Sequence, residues 1–407
     1  MKFLTNLLAF LPLTSATILQ NGQPRENPYP GQATLLSAEP NSTAWKTYLA
    51  DATEISYKGR WDSKHISWWS APGLKFGFTG NNVALTFGQY TSQGVLVAYR
   101  VSGLDWQFSN VTANATYQFI DSSNPAIGLR AAGEVLTFEL RVSNWAYGVQ
   151  IAGVNVDTDA SLVRIPDFGR RIEVIGDSLS SGQYQTYEGV SSWAWGVCEG
   201  LGQTEYSITA IPGICLADQN CWGNPRGQTF QWFQTSDTTY RASQIWGDTP
   251  EPWDFAAHTP ADLTIINIGT NDNNTANNVT NEKFYDSYLQ LIDGIHKTWP
   301  DTQIVLMSLW SGFYQSGTTY KQSNGFLDEI LRVNDYYKDA GFVHYFNTTG
   351  ILAHNDIGPQ YHPTDFGALK VAAHMQQYIK LTFGWEFLTT GPDIQSGTLY
   401  WNDQSSY

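Results

Sequence analysis

Ile172-Glu173-Val174-Ile175-Gly176-Asp177-Ser178-Leu179 is the stretch that decides how this chain folds. A short apolar run bounded by turn residues reads as a buried strand. This one ends in a small residue, an acid and a serine, the chemistry of a strand that stops and opens a helix. A hydroxyl there stands at the rim of a sheet. Two more segments share the design. The apolar run 263–268 leads into Gly269-Thr270-Asn271-Asp272, and His362-Pro363-Thr364-Asp365 precedes a helical stretch near residue 383.

Downstream of that strand, apolar runs alternate with helical patterns. A helix carrying Trp193 and Trp195 follows the first strand. Residues 282–298 read as a helix closed by Trp299-Pro300, and 303–309 as a strand. A helix over 325–339, a strand over 342–346 and a helix over 364–383 complete the series. This order predicts a three-layer α/β unit with a mainly parallel sheet over residues 166–390. Functional groups in such sheets gather at the carboxyl ends of the strands, where Ser178, Asn271 and the His362 loop all fall.

Upstream the period changes to two. Leu74, Phe76 and Phe78 alternate with polar or small residues, then Gly80-Asn81-Asn82 marks a turn. Val83, Leu85, Phe87; Val95, Val97, Tyr99, Val101; Leu136, Phe138, Leu140, Val142; and Trp145, Tyr147, Val149, Ile151 repeat the alternation. An antiparallel β-sandwich is expected over residues 17–165, packed directly on the α/β unit because no low-complexity linker separates them.

With 407 residues, two cores are expected rather than one. Aromatics reach 14%, with 16 Trp and 22 Tyr, as sugar-binding surfaces or large cores require. A formal charge of −15 disfavours nucleic acid and anionic membranes as partners and suits a neutral polymer. Residues 1–16 read as a secretory leader: Lys2, an apolar stretch to Leu13, then Thr14-Ser15-Ala16. That stretch is too short to span a bilayer, and residues 391–407 form a polar tail with no lipid-anchor signal. A secreted, extracellular monomer is expected. The Asn-x-Ser/Thr sequons at Asn41, Asn110, Asn114, Asn273, Asn278 and Asn347 are then glycosylation candidates, Asn273 standing close to Asn271. Of three cysteines, Cys215 can pair with Cys221 or with Cys198. The sequence has no His-Glu-x-x-His and no Cys-x-x-Cys, so neither a metal nor a cofactor is called for.

Chemistry follows from the three segments. Ser178 needs a base to become a nucleophile. The sequence Gly176-Asp177-Ser178-Leu179-Ser180 lacks the last glycine of the lipase elbow. The Asn271 amide, a backbone N–H at Gly213 and the N–H of Ser178 can donate to a developing oxyanion. His362 is the candidate base; His354 in a polar loop and His374 inside the last helix, on a stretch read as packed, are its rivals. Trp310 at a strand end and Trp222 after Cys221 can each stack on a sugar ring or pack locally. The set points to ester hydrolysis.

Gly176-Asp177-Ser178-Leu179, Gly213, Gly269-Thr270-Asn271-Asp272 and His362-Pro363, in that order, resemble the SGNH, or GDSL, hydrolase superfamily over residues 170–385. The resemblance implies Ser178 as nucleophile, Gly213 and Asn271 as oxyanion donors and His362 as base. The preceding sandwich, joined through Arg170-Arg171-Ile172-Glu173, resembles carbohydrate esterase family 2, which pairs a jelly-roll domain with an SGNH domain. That family removes acetyl groups from plant cell-wall polysaccharides such as xylan and glucomannan. One position departs: the superfamily's Asp three residues before the histidine is Pro359 here. The resemblance then implies that the backbone carbonyl of Gln360 orients the imidazole, with Asp356 as the alternative. Two other readings compete: a GDSL-type lipase or carboxylesterase on lipid or aryl esters, and an inactive carbohydrate-binding protein.

Overall fold

The computed structural model describes residues 33–37, 40 and 43–391, apart from 132, 311 and 324, together with 19–20 and 23–24. The leader 1–16, Asn41 and the tail beyond Gly391 lie outside the described residues. Two antiparallel sheets face each other in the first unit. One has the strand order Thr34–Leu35, Ala115–Ile120, Val83–Phe87, Ile151–Asp157, Trp45–Leu49. The other runs Leu162–Val163, Gly73–Phe78, Leu136–Val142, Val95–Val101, Gln107–Val111, with Ser56–Lys58 beside Gly73–Phe78. The alternating residues meet between the sheets. Phe76, Phe78, Val97, Tyr99 and Phe138 from one pack on Val83, Leu85, Phe87, Val154 and Val156 from the other.

One expected strand is misplaced in the sequence reading. Trp145 to Val149 do not form a strand; the strand is Ile151–Asp157. Ala146 adopts a left-handed backbone (φ 52°) and donates its N–H to the Trp69 carbonyl. The segment thus turns away from the sandwich, and Ala146 and Trp145 pack against the α/β core instead.

The second unit holds a five-stranded parallel sheet in the order Thr204–Ala210, Arg170–Gly176, Leu263–Asn267, Gln303–Met307, Val343–Phe346. Neighbouring residues of the Arg170–Gly176 strand point to opposite layers. Ile172 and Val174 meet helices Trp193–Leu201 and Asp365–Phe383. Ile175 faces the layer of Asn281–Thr298 and Leu327–Tyr336. A strand buried on both faces accounts for the continuous apolar run. The sequence reading did not include strand Thr204–Ala210, whose threonines, glutamate and serine dilute the apolar signal. Because that strand is second in the chain but lies at the edge, strand order reverses around Arg170–Gly176. The crevice between it and Leu263–Asn267 is the topological switch point, the usual ligand position in open α/β sheets.

The sandwich covers the exposed edge. Ser70 forms an antiparallel bridge with Ile208, and its hydroxyl donates to the Ala210 carbonyl at 2.7 Å. Trp69 Nε1 donates to the Thr235 carbonyl at 3.0 Å. Covering the edge blocks pairing with other chains and fixes the two units to one another.

Candidate active site

The turn carrying Ser178 is built by fit. A Cβ at Gly176 would stand 2.2 Å from Ser180 Oγ and 3.0 Å from the Asn267 carbonyl, so only glycine lets the helix start so close to the sheet. The short helix Ser178–Ser181 then begins with Asp177 as its N-cap, the carboxylate accepting the Leu179 N–H at 3.0 Å. That cap uses Leu179 rather than Ser178. Ser178 is buried at the carboxyl end of its strand. Burial, reinforced by the Asp272 charge, pushes the Asp177 carboxyl up to about 7.

The Gly269–Asp272 turn reaches across to the loop carrying Gly213. Asn271 Nδ2 donates to the Ile214 carbonyl at 2.8 Å, and the Asn271 carbonyl accepts from Asn277 Nδ2 at 2.8 Å. The Asn271 side chain is thus tied to the loop that follows Gly213. Gly213 has φ +79°, a backbone open to glycine at no steric cost. Asn224, absent from the sequence reading, donates to the Pro212 carbonyl at 3.0 Å and holds this turn. Asp272 accepts the N–H groups of Leu216 (2.8 Å) and Ala217 (3.0 Å); burial pushes its carboxyl up to about 6.

His362 arrives from the loop before the last helix. Its Nδ1 lies 2.9 Å from the Gln360 carbonyl. Donating there, the ring keeps Nε2 as its basic nitrogen. Gln360 and Tyr361 have φ 51° and 66°, a left-handed pair that turns the carbonyl onto the ring. The Asp356 carboxylate, through Oδ2, accepts from Lys370 Nζ (2.6 Å) and Ala353 N (2.8 Å). The link between this loop and the Ser178 turn is Tyr184, six residues beyond Ser178. Its ring meets His362 edge-on with centroids 5.0 Å apart. Thr186 N donates to Asp365 at 3.0 Å beside it. Nothing in the sequence marks Tyr184; only the folded contact reveals it.

Residues 174–370 match the GDSL-like Lipase/Acylhydrolase family. The α/β unit is thus similar to GDSL-type hydrolase domains. No curated protein matches the sequence. Among solved structures, a family two carbohydrate esterase from Clostridium thermocellum in complex with cellohexaose is 21% identical, with TM-score 0.61 over 81% of this chain and 99% of that one. An acetyl xylan esterase from the rumen bacterium Butyrivibrio proteoclasticus is 17% identical, with TM-score 0.64 over 84% and 100%. A carbohydrate esterase family 2 enzyme plus carbohydrate binding domain from Corynascus thermopiles (Myceliophthora fergusii) is 19% identical, with TM-score 0.63 over 81% and 100%. At these identities the likeness is one of fold: sandwich and GDSL-type domain together.

Near Gly213, Trp222 is 58% exposed and its Cβ lies 3.1 Å from where a Cβ on Gly213 would stand. Trp310 does not offer a ring face to a ligand. It is fully buried, edge-on to Trp193 between sheet and helices, because the strand end it follows turns inward. His354 stacks on Tyr320 with ring centroids 3.7 Å apart. His374 is exposed on its helix, not packed as expected. Cys215 and Cys221 form a disulfide and Cys198 is a buried free thiol. Asn110, Asn114, Asn273, Asn278 and Asn347 are all exposed. Among the described residues no cluster of three His, Cys, Asp or Glu could hold a metal, and no helix is long and apolar enough to cross a membrane.

Proposed function

We propose that the protein is a secreted serine esterase that removes acetyl groups from plant cell-wall polysaccharide, xylan or glucomannan, through an acetyl-Ser178 intermediate. The reading rests above all on His362: its Nδ1 is fixed by a backbone carbonyl and its ring packs on Tyr184 of the nucleophile turn. His362 Nε2 takes the Ser178 proton as Oγ attacks the acetyl carbonyl carbon. The tetrahedral oxyanion is held by the Asn271 amide and the N–H groups of Gly213 and Ser178. The carbon–oxygen bond to the sugar then breaks, and His362 returns the proton to the leaving alcohol. Water, deprotonated by His362, attacks the acetyl-enzyme and releases acetate and free Ser178. In place of an acid, the Gln360 carbonyl dipole faces the imidazolium.

The covered lengths and names of the structural neighbours support a carbohydrate ester as substrate. Exposed Trp222 beside Gly213 is the candidate ring platform. The leader, the five exposed sequons and the disulfide support secretion, and the chain acts as a monomer. The test is acetate release from acetylated xylan and acetylated glucomannan, with Ser178→Ala as control. Acetate released at equal rates by wild type and control would overturn the assignment of Ser178. A preference for long-chain acyl esters over acetyl esters would replace the substrate class.

A further inference from the structure

Beneath the site, two carboxylates that take no part in the proton transfers are tied to the two halves of the catalytic machinery. Asp177 is fully buried and caps the helix that carries Ser178. Asp272 is buried and accepts two successive backbone N–H groups, Leu216 at 2.8 Å and Ala217 at 3.0 Å. Those amides lie three and four residues beyond Gly213. Asn271, next to Asp272, is bonded to Ile214 in the same loop. Three hydrogen bonds from adjacent side chains therefore pin residues 214–217, and through them Gly213.

We propose that Asp272, backed by Asp177, is a positioning residue that sets the spacing between the oxyanion donors and the nucleophile. The inference rests on the proposed esterase reading. Oxyanion stabilisation depends on donors held at about 2.7–3.1 Å from the developing charge. A loop fixed through its own backbone keeps that distance without reorganising during the reaction. Two adjacent N–H groups aimed at one carboxylate give a bidentate clamp that a neutral amide cannot reproduce, since an amide has one acceptor oxygen. The arrangement is costly by itself. Burial, with the Asp272 charge nearby, raises the Asp177 carboxyl, and burial raises that of Asp272 against the partial relief of Lys283. Tyr288 lies in the same field, its hydroxyl pushed up by burial and by both carboxylates. Asn267, Ser180 and Thr270 add buried polar atoms to the cluster. Polar groups concentrated beneath a rim serine, where an apolar core would be more stable, are placed for geometry rather than for stability.

The test uses the full chain with Asp272→Asn, Asp177→Ala, Asn271→Ala and the Asp272→Asn/Asn271→Ala double variant. For Asp272→Asn, kcat on a small acetyl ester falls about 10²-fold with KM nearly unchanged, the signature of lost transition-state stabilisation. In the Asn271→Ala background that loss shrinks to a few-fold, because both changes act on the same oxyanion site. Amide exchange at Leu216 and Ala217 accelerates, while the sandwich strands keep their protection. Asp177→Ala, which removes the cap acceptor, gives the same kcat-weighted loss with exchange accelerated at Leu179 instead, and carries the test if Asp272→Asn does not fold. Two results overturn the proposal: unchanged exchange at Leu216 and Ala217, or a kcat loss that multiplies fully in the double variant or merely follows the folded fraction. If the wild type turns over no ester, the esterase reading falls, and the exchange measurement alone decides whether Asp272 fixes the loop.

Discussion

The two ends of the parallel sheet treat buried charge in opposite ways. At the amino end, Glu205 meets Lys75 Nζ at 2.7 Å and Lys58 Nζ at 2.8 Å, and Lys58 also meets Asp167 at 2.6 Å. Burial works to raise Glu205, but the two ammoniums overcome it and hold the carboxyl below its ordinary value. Deeper in the sheet, Glu173 accepts from Arg60 (3.3 Å), Trp232 Nε1 (3.0 Å) and Thr209 Oγ1 (2.8 Å). The cations come from the sandwich, so these pairs bind one unit to the other. At the carboxyl end, Asp177 and Asp272 are met by backbone N–H groups, and burial wins. Paired charge at one end holds the units together. Raised carboxyls at the other lie beside Ser178 and Asn271.

The sharpest way to break this contrast is Ser178→Ala. Turnover of an acetyl ester falls by about 10⁴–10⁶-fold with the melting temperature almost unmoved, since a rim hydroxyl holds nothing together. Glu205→Ala is its mirror image. It leaves Lys75 buried beside a vacated partner and costs about 3–5 kcal/mol in denaturant unfolding, while kcat per folded molecule stays the same. A loss of kcat there would mean that the amino end is not merely structural. Asn271→Ala lowers kcat by about 10²–10³-fold if its amide stabilises the oxyanion, whereas a change confined to KM would assign it to ground-state binding.

The smallest effect is in the pH dependence of stability, where the two ends have opposite signs. Asp177 and Asp272 titrate at about 7 and about 6 in the folded chain against an ordinary 3.8. Unfolded, they release protons near pH 4; folded, they retain them, so stability falls as pH rises from about 4 to about 7. Glu205 is shifted down from 4.5, so its contribution is present above that value and is lost as pH falls below it. Melting temperatures measured from pH 4.5 to 7.5 should decline, and Asp177→Asn should flatten the decline. Equal slopes for variant and wild type would show that burial at the carboxyl end does not raise Asp177.

Legibility in the sequence followed the strength of local patterns. Runs buried on both faces, such as Ile172 to Ile175, and clean alternations, such as Leu74 to Phe78, were readable because burial dictates them directly. Thr204–Ala210 was not, since an edge strand covered by the sandwich tolerates polar residues. Trp145 to Val149 alternates well, yet a left-handed Ala146 turns it into a connection. For the site, Ser178 and Asn271 fall at strand ends legible in the sequence, and the Gln360 carbonyl lies against His362 Nδ1 while Asp356 meets Lys370. Trp310 failed as a platform because exposure at a strand end depends on which way the chain turns.

By itself the order of residues determined the two architectures, the chain positions of the candidate serine, amide and imidazole, and the glycine at 176 that lets a helix start against the sheet. Those are consequences of side-chain period and backbone sterics, which act over a few residues. Tertiary structure alone decided that Tyr184 meets His362, that Asp356 turns to Lys370, that Asp272 clamps Leu216 and Ala217, and that Lys58 and Lys75 neutralise Glu205. Such contacts join residues remote in sequence, and hydrogen bonds and charge pairs exist only at separations of a few ångströms, which folding alone sets.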